Sequence, residues 1–115
     1  MSFRPTIRRL DDCPEFNPID GVSMRGLIGD RIHGNLVEIR PGASVPVHGH
    51  QNEQFGYILA GELILTLGDQ EHRLQAGCAY TIPPHLPHSG RGGPEGCKLL
   101  DFFTPARDDY PAARS

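Results

Sequence analysis

The stretch Gly42-Ala-Ser-Val-Pro-Val-His48-Gly-His50-Gln-Asn-Glu53-Gln54-Phe-Gly-Tyr-Ile-Leu-Ala-Gly61 carries the pattern on which the fold turns. Side chains at i and i+2 of a strand point to the same face, so His48 and His50 can aim both imidazoles at one point inside a closed sheet. Converging imidazoles are a metal-ligand arrangement. Five residues separate Gly42 from His48, three separate His50 from Gln54, and six separate Gln54 from Gly61. On a continuous strand residues 48, 50 and 54 share a face and Glu53 lies on the other, which favours Gln54 over Glu53 as a further inward group.

Working outward, Gly77 follows Gly61 after fifteen residues and opens a second glycine-framed stretch, Gly77-Cys-Ala-Tyr-Thr-Ile-Pro-Pro-His85-Leu-Pro-His88. Together the two stretches resemble the paired motifs of the cupin family. The resemblance implies an all-β, cupin-type jelly-roll β-barrel whose inner face binds a divalent metal ion through His48, His50, Gln54 and His88. Such a set is neutral, an amide standing where the family usually has a carboxylate, and it leaves the 2+ charge uncompensated and attractive to anions. These ligand types do not separate zinc, nickel, manganese and iron. His85 stands where the second motif usually has glycine and is expected to face solvent, and His33 and His72, in turn-like polar surroundings, are expected at the surface.

The rest of the chain reads as short strands. Fourteen glycines and eleven prolines are spread along it, leaving few uninterrupted windows for helices. Strands are expected over 22–28 and 34–40 about a turn at Gly29-Asp30, over 55–60 and 63–67, over 71–74 after the hairpin signal Gly68-Asp69, and over 77–82 and 98–104. Residues 89–96, Ser-Gly-Arg-Gly-Gly-Pro-Glu-Gly, are expected to form a flexible loop. Residues 1–20 hold Pro5, Pro14 and Pro18 and are expected to run as an extended arm without helix. Residues 21–110 then form a single barrel, and 111–115 a disordered tail.

A chain of 115 residues fits one core. Its net charge of −3, with both signs interspersed, argues against a nucleic-acid-binding face. No apolar run approaches ~18 residues and no signal-peptide pattern opens the chain, so neither a membrane span nor export is expected and the protein is assigned to the cytoplasm. Cys13, Cys78 and Cys97 are odd in number and widely spaced, and are expected to be reduced and partly buried.

The last strand adds Asp101-Phe-Phe103-Thr-Pro-Ala-Arg107-Asp-Asp-Tyr110. Asp101 and Phe103 share a face, and a carboxylate inside a barrel must be paired, hydrogen-bonded or catalytic. With the two motifs, this ending is similar to the small cupins of pectin degradation, which linearise 4,5-unsaturated uronates. That resemblance implies Asp101, Phe103 and Arg107 as substrate-site residues and a small anionic sugar acid as substrate. Two other classes share the motifs: an iron-dependent cupin dioxygenase and a non-catalytic small-molecule-binding cupin. Small cupins commonly pair, and Phe3, Ile7 and Leu10 offer apolar contacts, so a homodimer is expected.

Overall fold

The computed structural model describes residues 5–107 and 109–110, and the backbone of 113–114. Among the described residues nine strands follow in order: β1 Phe16–Ile19, β2 Val22–Ile28, β3 His33–Ile39, β4 Ser44–His48, β5 Glu53–Leu67, β6 Gln70–Gln75, β7 Ala79–Ile82, β8 His88–Thr104 and β9 Ala113–Arg114. All pairings are antiparallel except that of β9 with β2. The main path runs β1-β2-β3-β8-β5-β6, with β4 on β8 and β7 on β5. Two long strands, β5 and β8, are thus shared by both halves of the jelly roll.

Alternation along the strands builds the interior. On β5, Gln54, Gly56 and Ile58 are buried while Phe55, Tyr57 and Leu59 are exposed. On β8, Leu99, Asp101 and Phe103 point inward. Val22, Met24, Val37, Ile39, Ile58, Leu63, Leu65, Ile82, Cys97 and Leu99 form one apolar cluster. Burial of such side chains, worth ~1.5–3 kcal/mol each, is the main term holding the barrel together.

Several local expectations need correction. Residues 89–96 are not a flexible loop but part of β8, where Ser44, Val45 and Leu63 to Thr66 pair with them. Their glycines serve close packing: a Cβ on Gly92 would lie 2.5 Å from the Arg40 carbonyl oxygen. Among its described residues the N-terminal stretch holds one 3₁₀ turn, Leu10–Asp12, and its Phe16–Ile19 segment pairs with β2. In the tail, Ala113 and Arg114 pair with Leu27 and Ile28; Pro111, Ala112 and Ser115 lie outside the described residues. His33 is fully buried because it alternates inward with Asn35, Val37 and Ile39, whereas His72 is exposed. All three cysteines are free, Cys13 and Cys97 buried and Cys78 exposed.

Candidate metal centre

His48 ends β4 and stands directly opposite His88, which begins β8. Their ring centroids are 4.3 Å apart, and His50 lies 5.0 Å from His88 and 5.6 Å from His48. One ligand nitrogen from each converges within 4.8 Å of the others, so the three could hold a metal ion. His50 sits in the bend between β4 and β5, not on a continuous strand, yet its backbone carbonyl accepts the His85 N–H at 2.7 Å, which ties the two glycine-framed stretches together. His85 is exposed, as expected, and adopts a left-handed φ of 69°, which explains a position otherwise suited to glycine.

Each ring is held through Nδ1 by a nearby carbonyl: His48 by Pro46 at 2.9 Å, His50 by Asn52 at 2.9 Å and His88 by Leu86 at 2.8 Å. Nδ1 therefore carries the proton, and every Nε2 presents a lone pair. The His88 Nε2 is buried without a hydrogen-bond partner among the described residues. Burial also depresses the His88 pKa to about 4 and lowers that of His50, with the Arg107 charge adding to the latter. Both rings are neutral at pH 7, the state that binds metal.

Gln54 reaches toward this group from β5. Its Oε1 lies 3.2 Å from the His50 Nε2. With the His50 proton on Nδ1, two acceptors face each other there, an arrangement that a cation between them relieves. The donor set therefore fits a divalent ion held by His48, His50, His88 and Gln54. Glu53 faces outward and is exposed, as parity on β5 requires.

The wall beside this group is polar. Gly56 pairs with Tyr80 on one side and with Asp101 on the other, and the Tyr80 ring crosses over it to donate its hydroxyl to Asp101 Oδ1 at 2.6 Å. A Cβ on Gly56 would lie 2.0 Å from the Tyr80 ring, so only glycine admits that crossing. Burial pushes the Asp101 carboxyl up, against the opposing pull of hydrogen bonding from Tyr80 and Gln54. Burial and the Asp101 charge push the Tyr80 phenol well up, so it stays protonated and remains a donor. On the other side of Asp101, its cross-strand neighbour Asn35 is buried and its Oδ1 lies 3.1 Å from His33 Nε2.

At the mouth, Phe103 packs edge-on to His50 with centroids 5.5 Å apart, and the Arg107 guanidinium lies 5.3 Å from the Phe103 centroid and 4.0 Å from that of Tyr110. Asp101, Phe103 and Arg107 thus line one cavity with His48, Gln54 and His88. Its volume, about 60 Å³, is small beside the roughly 300–1,000 Å³ of ligand pockets. Tyr80 and Asn35 escaped sequence reasoning. The available signal for Tyr80 was its parity with inward Ile82 on β7.

Residues 35–103 match the family model for the cupin domain. Among curated proteins, the chain is 39% identical over 57 residues to the HTH-type transcriptional regulator PuuR of Escherichia coli K12, covering 49% of the chain and 31% of the regulator. It is 35% identical over 74 residues to D-lyxose ketol-isomerase of Cohnella laeviribosi, covering 64% of the chain and 36% of the enzyme. The chain therefore spans about a third of the length of these relatives. Among solved structures, an RmlC-like cupin from Shewanella frigidimarina superposes with a TM-score of 0.84 at 25% identity, over 96% of this chain and 100% of that one. KdgF from Halomonas sp. superposes with a TM-score of 0.85 at 22% identity, over 92% and 98%.

Proposed function

Because the chain belongs to the cupin domain family, we propose that it is a metal-dependent isomerase of small anionic sugar acids, opening 4,5-unsaturated uronates to their linear keto form. The observation that carries this reading is a buried carboxylate, Asp101, beside a three-histidine group, with a buried arginine, Arg107, lining the same cavity. The similarity to an isomerase, D-lyxose ketol-isomerase, supports the reaction class.

A divalent ion held by His48, His50, His88 and Gln54 would supply Lewis acidity toward a ligand oxygen. The chain's own groups handle the protons. The cyclic uronate is a hemiacetal whose ring oxygen is also attached to the unsaturated carbon. Asp101 takes the proton of the anomeric hydroxyl, the bond from the anomeric carbon to the ring oxygen breaks, and an aldehyde and an enolate form. The same proton passes from Asp101 to the neighbouring alkene carbon, and the enolate becomes a ketone. One proton is removed and one returned, so the step is an isomerisation. Tyr80 keeps the carboxylate oriented by donating to Oδ1. Arg107 receives the substrate carboxylate, for which a planar guanidinium is suited, and Phe103 packs on the ring.

The decisive measurement is the loss of unsaturated-uronate absorbance with metal-loaded protein and with Asp101→Ala. Activity in the first and a drop of roughly 10²–10⁴-fold in the second is expected. Equal rates, or none in either, would sink the proposal. The regulator among the relatives favours a second reading, in which the same cavity captures a small acid without turnover. Tight uronate binding with unchanged absorbance would select it.

We also propose that the protein works in the cytoplasm, which its three free cysteines support, and that it is a homodimer. Among the described residues, no helix is long and apolar enough to cross a membrane. Phe55, Tyr57 and Leu59 stand 46%, 40% and 40% exposed on the outer face of β5, with Phe102 and Leu100 opposite Phe55 and Tyr57 on β8. So apolar an outer face suits a second copy of the chain. Of the arm residues, Ile7 is 92% exposed; Phe3 lies outside the described residues. Sedimentation should give twice the 12.6 kDa protomer mass, with Tyr57→Glu shifting it toward the monomer. A wild-type species of 12.6 kDa would refute the dimer.

A further inference from the structure

We infer that Asp109 is a positioning residue that grips the Arg107 guanidinium by one edge and leaves its Nη1 end to anchor a ligand carboxylate. The inference rests on the uronate reading only in taking the ligand to be a carboxylate.

Arg107 donates from Nε to Asp109 Oδ1 at 3.0 Å and from Nη2 to Asp109 Oδ2, a two-pronged pairing along a single edge. A guanidinium has five N–H donors in a fixed plane, so this pairing determines where the remaining ones point. The stacking on Tyr110 and the contact with Phe103 fix the tilt of that plane. Three N–H groups remain, one on Nη2 and two on Nη1, and Nη1 is buried and without a hydrogen-bond partner among the described residues, on a residue only 8% exposed that lines the cavity shared with His48, His88 and Asp101. A buried cationic donor with no acceptor calls for an anionic oxygen. Asp109 itself is exposed and approaches from the solvent side. It therefore holds the arginine from outside and does not fill the inner position.

A competing role would make Asp109 an internal substitute for the ligand carboxylate, and the two roles predict opposite signs. Glucuronate is titrated calorimetrically into the zinc-loaded full-length protein and its Asp109 variants, with zinc content and melting temperature checking that each is folded and loaded. Asp109→Ala is expected to weaken glucuronate binding about tenfold, the loss of one charge-assisted hydrogen-bond pair. Asp109→Glu, which can rebuild the pairing, is expected to stay within about threefold of wild type. In turnover, Asp109→Ala should raise KM and leave kcat unchanged. Unchanged or tighter binding by Asp109→Ala, failure of Asp109→Glu to restore affinity, or absence of glucuronate binding by the wild type would each overturn the inference. A wild-type protein that binds glucuronate but turns over no unsaturated uronate would strike the isomerase reading alone.

Discussion

His88→Ala is expected to lower affinity for a divalent metal by more than about 100-fold. Loss of a group that merely orients a metal-bound histidine already costs about 10–100-fold, and His88 would be a ligand itself. His88 is also the most buried of the three histidines, at 4% exposure, and its Nε2 has no other partner among the described residues. Glu53, which could supply a carboxylate, faces solvent on the other side of β5. Equilibrium dialysis with zinc, followed by elemental analysis, reads the effect directly. Stoichiometric retention of metal by the variant would show that the convergence of the three rings has another purpose.

Gly56→Ala should damage stability and activity together, although it adds only one methyl group. The new Cβ would fall 2.0 Å from the Tyr80 ring, and Tyr80 is held between β5 and the interior, so the ring must leave its place over the strand. Overpacking of this kind costs about 1–3 kcal/mol. In a domain of this size that lowers the melting temperature by several degrees, at ~4–8 °C per kcal/mol. Displacement of the ring also removes the hydroxyl from Asp101 and frees the carboxylate to turn. A double variant, Gly56→Ala with Tyr80→Ala, separates the causes. Melting should recover part of the loss, because the clash is gone, while turnover should not. Strict additivity of the two melting shifts would disprove the proposed clash.

Much of the barrel was legible because its signals are local. The glycine-framed spacings around His48, His50 and His88 belong to turns and strand ends whose geometry a few residues determine. Gln54 illustrates both the power and the weakness of parity. It faces inward and Glu53 outward, as expected, but the bend through His50 interrupts the strand, so the inference holds for β5 alone and not for the whole run from His48. Other features depend on neighbours distant in sequence. The glycine-rich stretch 89–96 looks like a flexible segment until the Arg40 carbonyl and β4 are packed against it, when small residues become a requirement of a crowded strand. His33 resembles a turn residue, and only its register with Phe103 reveals that it is interior. Tyr80 gave no sign of special chemistry because its meaning comes from an empty position, Gly56, on the strand beside it.

The three backbone carbonyls that hold the histidine rings, those of Pro46, Asn52 and Leu86, each lie two residues from the histidine they serve. The tautomer of each ring is thereby settled within two short stretches of chain. The tautomers of the ion-binding corner are consequently set apart from the wall that faces a ligand. Asp101 or Tyr80 can be exchanged without removing any of these three ring-to-carbonyl contacts, whereas Phe103, which packs on the His50 ring, and Arg107, whose charge lowers the His50 pKa, bear on both. A scaffold organised this way can acquire new substrates by redrawing one side of its interior while the other is inherited intact.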